Sequence, residues 1–506
     1  MPVVLGFDLG TSSVRCLILD TDSGHSSLGQ VDYQFDIPRM GWAEQEAESW
    51  WEASKKALKI ALAKGSFRVS EIEAISFSGQ MHGLVCMNSE RKAVRPAIIW
   101  CDQRTAELVE RMNTEANCDL MRKTTLNRVF TGFALASLKW LQENEADHYK
   151  QIVQIGCPKD YLRFRLCGKW GMEQTDASST SAYDAVHGKW CDELIEGFGL
   201  DPSIFPPLSL STDFAGTVRP EVCRELGLSP DCAVYFGGSD QVMQAIGNGI
   251  IEPGSLSVTI GTGGQVLSIL SEARCHPSLN AHTFQFVSPE LWYFLGASLS
   301  AGQSLRWLRH NVLAGISYAE MNELAKTKPC GSEGLLFLPY LIGERSPHAD
   351  PRACGCFFGL RLKHDRGNLI RSVMEGVVFS LKDCLNLAAD IGVKPQIIVA
   401  SGGGAQSQLW QQILADILEI PVTVSKNSEQ AALGAAISAA VAHGIYPSFK
   451  NACQELVHWQ KKNTDPNIAK QKIYRESYAI YRNLYLNNKD SMHQLFRLPA
   501  SDFPER

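Results

Sequence analysis

The feature that most restricts the fold is a pair of similar hairpins that lie about half a chain apart. Each consists of two short apolar runs around a turn of small residues, a pattern typical of β-hairpins. The repeat predicts a duplicated α/β lobe, with a ligand cleft between the two copies. The turns lie at residues 10–13 and 261–264, and the runs that flank them at 3–8, 14–19, 255–260 and 265–270.

Other segments show apolar residues three and four positions apart, which indicates amphipathic helices between and after the hairpins. We expect the chain to divide near residues 247–254 into an N-terminal lobe at 1–249 and a C-terminal lobe at 250–490, with a tail at 491–506. The predicted helices are 47–63, 103–112, 133–144, 160–166, 301–311, 368–389 and 408–418, and further strands are 72–77 and 396–400.

Charge and length favour a protein that acts on small molecules. The 506 residues carry 48 Lys and Arg against 54 Asp and Glu, a net charge of −6. Without a long basic run, the chain lacks the surface that neutralises nucleic-acid phosphates, so we expect no nucleic-acid partner. Because it shows neither a signal peptide nor an apolar span, we also predict no membrane association and a cytoplasmic location.

The cysteines indicate reduced thiols. Their number is 15, and no Cys-x-x-Cys occurs, which argues against a disulfide framework and against a zinc ribbon. Cys354 and Cys356 form a Cys-x-Cys pair, but a single nearby histidine, His364, is weak support for a metal site. We expect these cysteines to be structural.

The first turn suits an approaching phosphate, because backbone N–H groups and hydroxyls are offered there without a bulky side chain. Asp8, just before it, would repel a polyanion unless a cation lay between them, so it is a candidate Mg²⁺ ligand. An ordinary tight turn is the alternative. A second Gly-Thr turn strengthens the phosphate interpretation, since two tips can hold a phosphate chain from both sides.

These motifs resemble those of the FGGY family of carbohydrate kinases, which belongs to the actin, heat-shock-70 and hexokinase ATPase superfamily. Residues 6–13 are similar to the first phosphate motif of the family, and 261–263 to the second. Residues 402–410 resemble the adenosine motif. The most specific match is the C-terminal signature across residues 355–375. The resemblance implies two ribonuclease-H-like α/β lobes around a central cleft, with ATP and Mg²⁺ as cofactors.

The resemblance also implies roles for individual residues. Residues 78–83 and 95–100 are similar to those of family members that phosphorylate xylulose, and 158–162 and 237–240 add to this. The implied contacts to the sugar are Gln80, Met81, His82, Trp100 and Asp240. Those to the nucleotide are Gly10, Thr11, Ser12, Ser13, Gly261, Thr262, Gly263, Gly403, Gly404, Ala405 and Ser407, with Asp8 toward the metal.

By the same resemblance Asp240 is the catalytic base, which is chemically sensible because a carboxylate can accept the proton of the attacking sugar hydroxyl. Taken alone, an Asp after Gly-Gly-Ser is more commonly a helix N-cap than a catalytic base. His82 alone reads as a core histidine, Met81 as packing, and residues 402–404 as a plain turn between strand and helix.

The chain departs from the family pattern at four positions, which leaves the identity of the sugar open. Cys101 stands where Asn is usual, Ala136 and Ser137 where Pro and Lys are usual, and Gln241 where Asn often follows the base. Lys139 is a candidate for the missing amine. Two residues along a helix rotate a side chain by about 200°, so it would face differently.

The resulting expectation is an ATP-dependent kinase of a ketopentose, with D-xylulose converted to its 5-phosphate. The partners are the sugar and ATP, and a homodimer is one option for assembly. A kinase of another ketose or polyol, such as L-ribulose, is an alternative of the same class. An actin-like or chaperone-like ATPase is the alternative from another class, although it would need no ketose pocket.

Overall fold

The computed structural model of the chain describes residues 2–497 and contains two α/β lobes. The strands are β1 Val3–Leu9, β2 Ser13–Asp20, β3 Ser26–Asp32, β4 Glu44–Gln45, β5 Ile72–Gly79, β6 Val85–Met87, β7 Ala97–Ile98, β8 Gln154–Gly156, β9 Met172–Glu173, β10 Tyr183–Asp184, β11 Lys189–Trp190, β12 Leu208–Ser209, β13 Phe214–Thr217, β14 Ala233–Tyr235, β15 Gly238–Ser239, β16 Ser255–Ile260, β17 Gly264–Leu270, β18 His282–Gln285, β19 Trp292–Ser298, β20 Leu336–Leu338, β21 Cys356–Phe358, β22 Ile397–Ser401 and β23 Val422–Val424.

The α-helices alternate with these strands in both lobes. They are α1 Ala47–Lys64, α2 Ala106–Met112, α3 Glu115–Lys123, α4 Ala134–Asn144, α5 Ala146–Tyr149, α6 Pro158–Cys167, α7 Gln174–Ser178, α8 Asp192–Gly197, α9 Pro220–Leu226, α10 Asp240–Gly247, α11 Gly302–Asn311, α12 Tyr318–Lys326, α13 Arg366–Asp390, α14 Gln408–Leu418, α15 Gln430–Ala442, α16 Phe449–Leu456 and α17 Ile468–Arg497. Within the described residues, no helix has the length and apolar character needed to cross a bilayer.

The two main sheets repeat one topology, which confirms the predicted duplication of an α/β lobe. The N-terminal sheet has the order β13-β14-β5-β1-β2-β3, and the C-terminal sheet has the order β18-β19-β17-β16-β22-β23. In each, the opening hairpin is antiparallel, and its first strand then pairs in parallel with a later strand, β5 or β22. Each sheet thus brings a hairpin turn and the carboxyl end of a parallel strand to one edge.

Strand β1 is buried along its whole length because both faces of its sheet are covered. Helix α1 packs against β2 and β3, and helix α15, which belongs to the C-terminal half of the sequence, packs against β1 and β5. The contact with α15 is so close that a Cβ atom at Gly6 would lie 2.3 Å from the carbonyl oxygen of Ala432. Only glycine permits this approach.

The lobes share apolar packing through α10 and α15. A Cβ atom at Gly247 would lie 1.8 Å from the carbonyl oxygen of Gln430, so these two helices cross in direct backbone contact. One buried cluster includes Val4 of the first lobe together with Leu267 and Val399 of the second. The residues between 247 and 254 therefore join two lobes that are packed together, and the division at 249 remains a prediction.

The predicted elements agree with the structure to within a few residues, with one informative exception. The helix predicted from residue 103 begins at Ala106, because the Asp102 carboxylate accepts the backbone N–H of Arg104 and pairs with its guanidinium, which holds this segment in a turn. The predicted tail also begins inside an element, since α17 continues to Arg497. The rest of that tail, 498–506, lies outside the described residues.

All 15 cysteines are free thiols, as predicted from their number and spacing. Seven are buried, and Cys354 and Cys356 are partly exposed. Among the described residues the acidic and thiol groups closest to a metal-like arrangement are Cys157, Asp160 and Asp176. The ammonium group of Lys159 already lies 3.2 Å from Asp160 and 3.1 Å from Asp176, so an ion pair occupies this cluster.

Candidate active site

Asp8 lies near the carboxyl end of β1, where the parallel strand β5 places Ser78 directly beside it. Its Oδ1 accepts a hydrogen bond of 2.7 Å from the Ser78 hydroxyl, and its Oδ2 lies 3.6 Å from the guanidinium of Arg15. Burial raises the pKa of Asp8, although Ser78 and Arg15 act in the opposite direction. The site thus holds a buried carboxylate whose charge is only partly compensated.

Asp240 is the first residue of α10 and follows β15, which pairs with the end of β5. Burial, and after it the negative charge of Asp8, raises the pKa of Asp240 to about 7. Ser78 of β5 lies opposite both Asp8 and Gly238, so the two carboxylates lie at the same edge of the sheet. A carboxylate with a pKa near the working pH is suited to general base catalysis, because it can both accept and release a proton.

A chain of hydrogen bonds behind β15 fixes the backbone next to Asp240. The N–H of Ser239 donates to the hydroxyl oxygen of Thr175 at 2.8 Å, and the Thr175 hydroxyl donates to Glu173 Oε1 at 2.9 Å. The same carboxylate oxygen lies 3.1 Å from the ammonium group of Lys159, which is fully buried. Burying charges is costly unless they are paired, so this network holds the start of α10 in one position.

The donor set around Asp8 and Asp240 fits a hard divalent cation. Two carboxylates at one sheet edge repel each other, and an ion between them would relieve this repulsion. Mg²⁺ prefers oxygen ligands and keeps several of its waters, so it requires only one or two carboxylates. Asp8 retains an oxygen with a single distant partner, Arg15, and could hold such an ion or one of its waters.

The first hairpin turn is braced from its own lobe by Gln45, Gln80 and Trp100. The Trp100 indole N–H donates to the Thr11 hydroxyl oxygen at 2.8 Å, and the Gln45 amide donates to the Thr11 carbonyl at 2.7 Å. Gln80 donates to Gln45 at 2.8 Å and accepts from the Thr11 hydroxyl at 3.3 Å. Gln80 and Trp100 therefore connect the predicted sugar segments to the predicted phosphate turn.

His82 has one imidazole tautomer that its contacts determine. Its Nδ1 lies 2.8 Å from the carbonyl oxygen of Ser179, and a carbonyl can only accept, so Nδ1 carries the proton. Burial lowers the pKa of His82 to about 3, and the ring is therefore neutral near pH 7. Nε2 is consequently an acceptor, suited to the O–H of a sugar.

The ring of His82 is held by aromatic neighbours from both lobes. It stacks on Phe133 with 3.8 Å between the ring centroids, and Phe284 of β18 lies 5.8 Å away. Its backbone φ of 71° is unusual for a residue other than glycine, and such conformations are concentrated at functional sites. Met81, beside it, is buried, and its sulfur accepts a hydrogen bond from the Tyr293 hydroxyl at 3.7 Å.

A cavity of about 510 Å³ opens in the C-terminal lobe. Five residues predicted to contact the nucleotide line it, namely Gly261, Thr262, Gly403, Gly404 and Ser407. Its other walls come from α11, α12 and α14 and include Gln303, Arg306, Tyr318, Asn322 and Trp410. Ser407 is the N-cap of α14, and its hydroxyl also donates to Asn322 at 2.8 Å.

Two predicted nucleotide contacts lie beside this cavity rather than in its wall. Ala405 is buried in the core of the lobe, and Gly263 lies within the turn, where its carbonyl accepts the N–H of Gly261. Lys139 does not replace the missing amine, because its ammonium group is bound to Gln142 at 2.7 Å and lies 3.7 Å from Glu143. Ala136 and Ser137 are buried on the same helix.

Sequence reasoning missed Gln45, Thr175, Tyr293 and the helical walls of the cavity in the C-terminal lobe. These residues lie in segments without a glycine-rich motif, and only the fold brings them to the cleft. Gln45 stands between Glu44 and Glu46 just before α1, and nothing in that pattern distinguishes it from the polar residues that commonly border a helix.

Comparison with known proteins covers nearly the whole chain. Residues 3–247 match the N-terminal domain, and 256–443 the C-terminal domain, of the FGGY family of carbohydrate kinases. The xylulose kinase of Bacillus subtilis (strain 168) is 33% identical over 490 residues, which are 97% of this chain and 98% of that protein.

Solved structures show the same fold. The xylulose kinase of Rhodospirillum rubrum superimposes with a TM-score of 0.88 at 26% identity, covering 97% of this chain and 100% of that one. The gluconate kinase of Lactobacillus acidophilus has a TM-score of 0.92 at 24% identity, with 97% and 99% covered. Because the gluconate kinase is only 24% identical, its similarity shows that the fold is shared and nothing more.

Proposed function

The chain belongs to the FGGY family of carbohydrate kinases, and on that premise we propose that it transfers the γ-phosphoryl group of ATP to the 5-hydroxyl of D-xylulose. The observation that supports the proposal is the position of Asp240 at the start of α10, at the sheet edge that also carries Asp8, together with a pKa raised to about 7, which suits a general base. The full-length similarity to xylulose kinases supports the choice of sugar.

In the proposed reaction Asp240 accepts the proton of the sugar 5-hydroxyl while the oxygen of that hydroxyl attacks the γ-phosphorus. The bond from that phosphorus to the β,γ-bridging oxygen breaks, and ADP leaves. Phosphoryl transfer needs little covalent help, so the main contributions of the protein are position and charge. The bonds from Glu173 through Thr175 to the N–H of Ser239 hold the base in place.

The sugar lies, in this proposal, between Asp240 and His82. The neutral imidazole of His82 accepts a sugar hydroxyl at Nε2, and Met81 packs below it. Phe133 and Phe284 form apolar walls that exclude water from the reacting hydroxyl. Gln80 and Trp100 act indirectly, because their hydrogen bonds to the Thr11 hydroxyl hold the phosphate turn in place.

ATP occupies the cavity of the C-terminal lobe, with its phosphates directed toward residues 10–13 and 261–263. Backbone N–H groups of glycine-rich turns are good phosphate donors. Asp8 would hold Mg²⁺ or one of its waters, and the bound ion would neutralise part of the charge of the phosphates. The donor set described above supports that assignment.

The test is a panel of acceptors assayed by coupled ADP release with MgATP. We expect D-xylulose to give the highest kcat/KM, ahead of L-ribulose, D-fructose, xylitol and glycerol. A preference for L-ribulose would move the function to the alternative ketose. ATP turnover that no sugar stimulates would favour the actin-like or chaperone-like ATPase instead.

A further inference from the structure

Glu344 is a buried acidic residue of the C-terminal lobe that the proposed reaction has not used. It lies in the loop between β20 and β21 and is 2% exposed. Its Oε1 accepts the N–H groups of Leu299 and Arg345, each at 2.8 Å. Its Oε2 accepts the Ser298 hydroxyl at 2.7 Å and the Ser380 hydroxyl at 3.4 Å. One carboxylate therefore joins the end of β19, its own loop and α13.

The four donors to Glu344 are neutral amide and hydroxyl groups. Taking a carboxylate out of water is costly, and an apolar side chain of the same size would fill this space without that cost. A buried polar network whose members are all hydrogen-bonded holds them in one arrangement. The contribution of Glu344 therefore lies in the positions of the groups that it binds.

The residues that follow β19 hold the second phosphate turn, at 261–264. The N–H of Ala301 donates to the carbonyl of Thr262 at 2.9 Å. The N–H of Gly302 donates to the carbonyl of Gly261 at 2.8 Å. The approach is so close that a Cβ atom at Gly302 would lie 2.5 Å from that carbonyl oxygen. Both carbonyls of the turn thus point toward the start of α11.

These bonds also set the direction of the N–H groups in the turn. In a planar trans peptide unit the carbonyl and the N–H point in opposite directions. Because the carbonyls of Gly261 and Thr262 point toward α11, the N–H groups of Thr262 and Gly263 point away from it. Neither of these N–H groups has an acceptor within residues 2–497. Gly261 and Thr262 line the 510 Å³ cavity, so the turn has free donors at the edge of the proposed nucleotide site.

We propose that Glu344 is a positioning residue for phosphoryl transfer, which fixes residues 298–303 and through them directs the N–H groups of the second phosphate turn at the nucleotide phosphates. The proposal rests on the proposed function and deepens it, because it names the group that orders one of the two phosphate turns. Glu344 does not line the cavity itself. The cavity walls at Tyr318 and Trp410 belong to α12 and α14, so we expect Glu344 to affect the phosphates and not the adenosine.

The test measures binding of two ligands by isothermal titration calorimetry without sugar. One is adenosine, and the other is the magnesium complex of adenylyl imidodiphosphate, an ATP analogue that resists hydrolysis. Glu344→Met nearly keeps the side-chain volume and removes both carboxylate oxygens. We expect this variant to bind the analogue about 10- to 100-fold more weakly, the usual effect of losing hydrogen bonds to a charged group. Its binding of adenosine should stay close to that of the native chain.

Glu344→Gln should restore most of the affinity for the analogue. Its amide oxygen can accept the two N–H groups that Oε1 accepts in the native chain. Its amide nitrogen can donate to the hydroxyl oxygens of Ser298 and Ser380, because a hydroxyl both donates and accepts. If Glu344→Met does not fold, Ser298→Ala takes its place. This variant removes one donor of the same carboxylate and should weaken binding of the analogue alone by about 2- to 10-fold.

Asp383→Ala is the matched control. Asp383 is another buried carboxylate of this lobe, and it accepts the hydroxyl of Tyr478 in α17 rather than a group next to the phosphate turn. This variant should melt at a lower temperature, followed by circular dichroism, and should bind both ligands as the native chain does. A purely structural role of Glu344 would give the same result.

Two results in a folded Glu344→Met, or in Ser298→Ala where that variant replaces it, would overturn the positioning role. They are equal losses of affinity for adenosine and the analogue, and native affinity for both. A native chain that binds neither ligand would contradict the proposed function itself and this role with it. Nucleotide binding by the native chain therefore separates the two failures.

Discussion

Asp240 is the residue on which the proposed chemistry depends most. We predict that Asp240→Asn preserves the fold and ATP binding and lowers kcat by about 10²–10⁴, the usual contribution of a general base, because asparagine cannot accept the proton. Steady-state kinetics with D-xylulose and a separate measurement of ATP affinity check this. Near-native turnover in a folded variant would exclude Asp240 as the base.

The pH dependence of the same residue gives a second readout. Because the pKa of Asp240 is raised to about 7, we expect kcat/KM for the sugar to fall below that pH and to level off above it. The raised pKa also means that ionisation of Asp240 costs folding stability, with no cost below the ordinary aspartate pKa of ~4 and the full cost above about pH 7. Asp240→Asn should therefore melt at a higher temperature than the native chain at pH 8, and at a similar temperature at pH 4.

His82 tests the sugar side of the site. We predict that His82→Ala raises the KM for the ketose and leaves ATP affinity unchanged, because binding energy to one substrate is lost. His82→Asn is the better-folded comparison, since asparagine tolerates the positive φ of this position. A weakened ATP affinity with a native sugar KM in both variants would place His82 in the nucleotide lobe or in the core.

Thr175 links the buried ion pair of Glu173 and Lys159 to the start of α10. Thr175→Val keeps the shape but leaves the N–H of Ser239 without its acceptor, so we predict a loss of stability of about 1–3 kcal/mol. Because Asp240 is then less firmly positioned, kcat should fall while the KM for ATP changes little. Chemical denaturation and kinetics check this, with Thr175→Ser, which retains the hydroxyl, as the control. Native kcat in Thr175→Val would show that the network serves stability alone.

At the scale of elements, local sequence signals predicted the hairpins and the helices α1, α13 and α14 well, but not α15 or α17. The turn residues around β1 and β16 and the apolar spacing in α1 and α14 are strong signals, and their bounds agree with the structure. The start of α2 was missed, because the Asp102 side chain holds the preceding turn. That contact becomes visible only when Asp102 and Arg104 are seen together in space.

The candidate site was predictable where it lies on glycine-rich turns and not where the fold assembles it. The turns at 10–13 and 261–264 and the residues around Ser407 carry recognisable spacing. Glu173 reaches the start of α10 through Thr175, and Tyr293 of β19 reaches Met81 from the other lobe, so both depend on the fold. The roles of Gln80 and Trp100 in bracing Thr11 likewise depend on contacts that no spacing encodes.

At the scale of the whole molecule, the two phosphate turns belong to different lobes and must act on one γ-phosphate. We therefore predict that the lobes close on the sugar, which would exclude water and limit ATP hydrolysis. The radius of gyration from small-angle scattering should fall when ketose and nucleotide are added, and ATP hydrolysis without sugar should be slow but measurable. The hinge is expected near residues 247–254, next to the crossing of α10 and α15.

An unchanged scattering profile at saturating ketose and nucleotide, in enzyme shown to be active, would indicate a preformed site. ATP alone should produce a smaller change than ATP with ketose in the native chain.

The most direct measurement of the central claim is the identity of the product. Native chain and Asp240→Asn would each be incubated with MgATP and D-xylulose, and the products identified by ³¹P and ¹³C nuclear magnetic resonance. The account predicts that the native chain forms ADP and D-xylulose 5-phosphate in equal amounts, and that Asp240→Asn forms both about 10²–10⁴ times more slowly. ADP without a sugar phosphate, or a phosphate on another hydroxyl of D-xylulose, would contradict it.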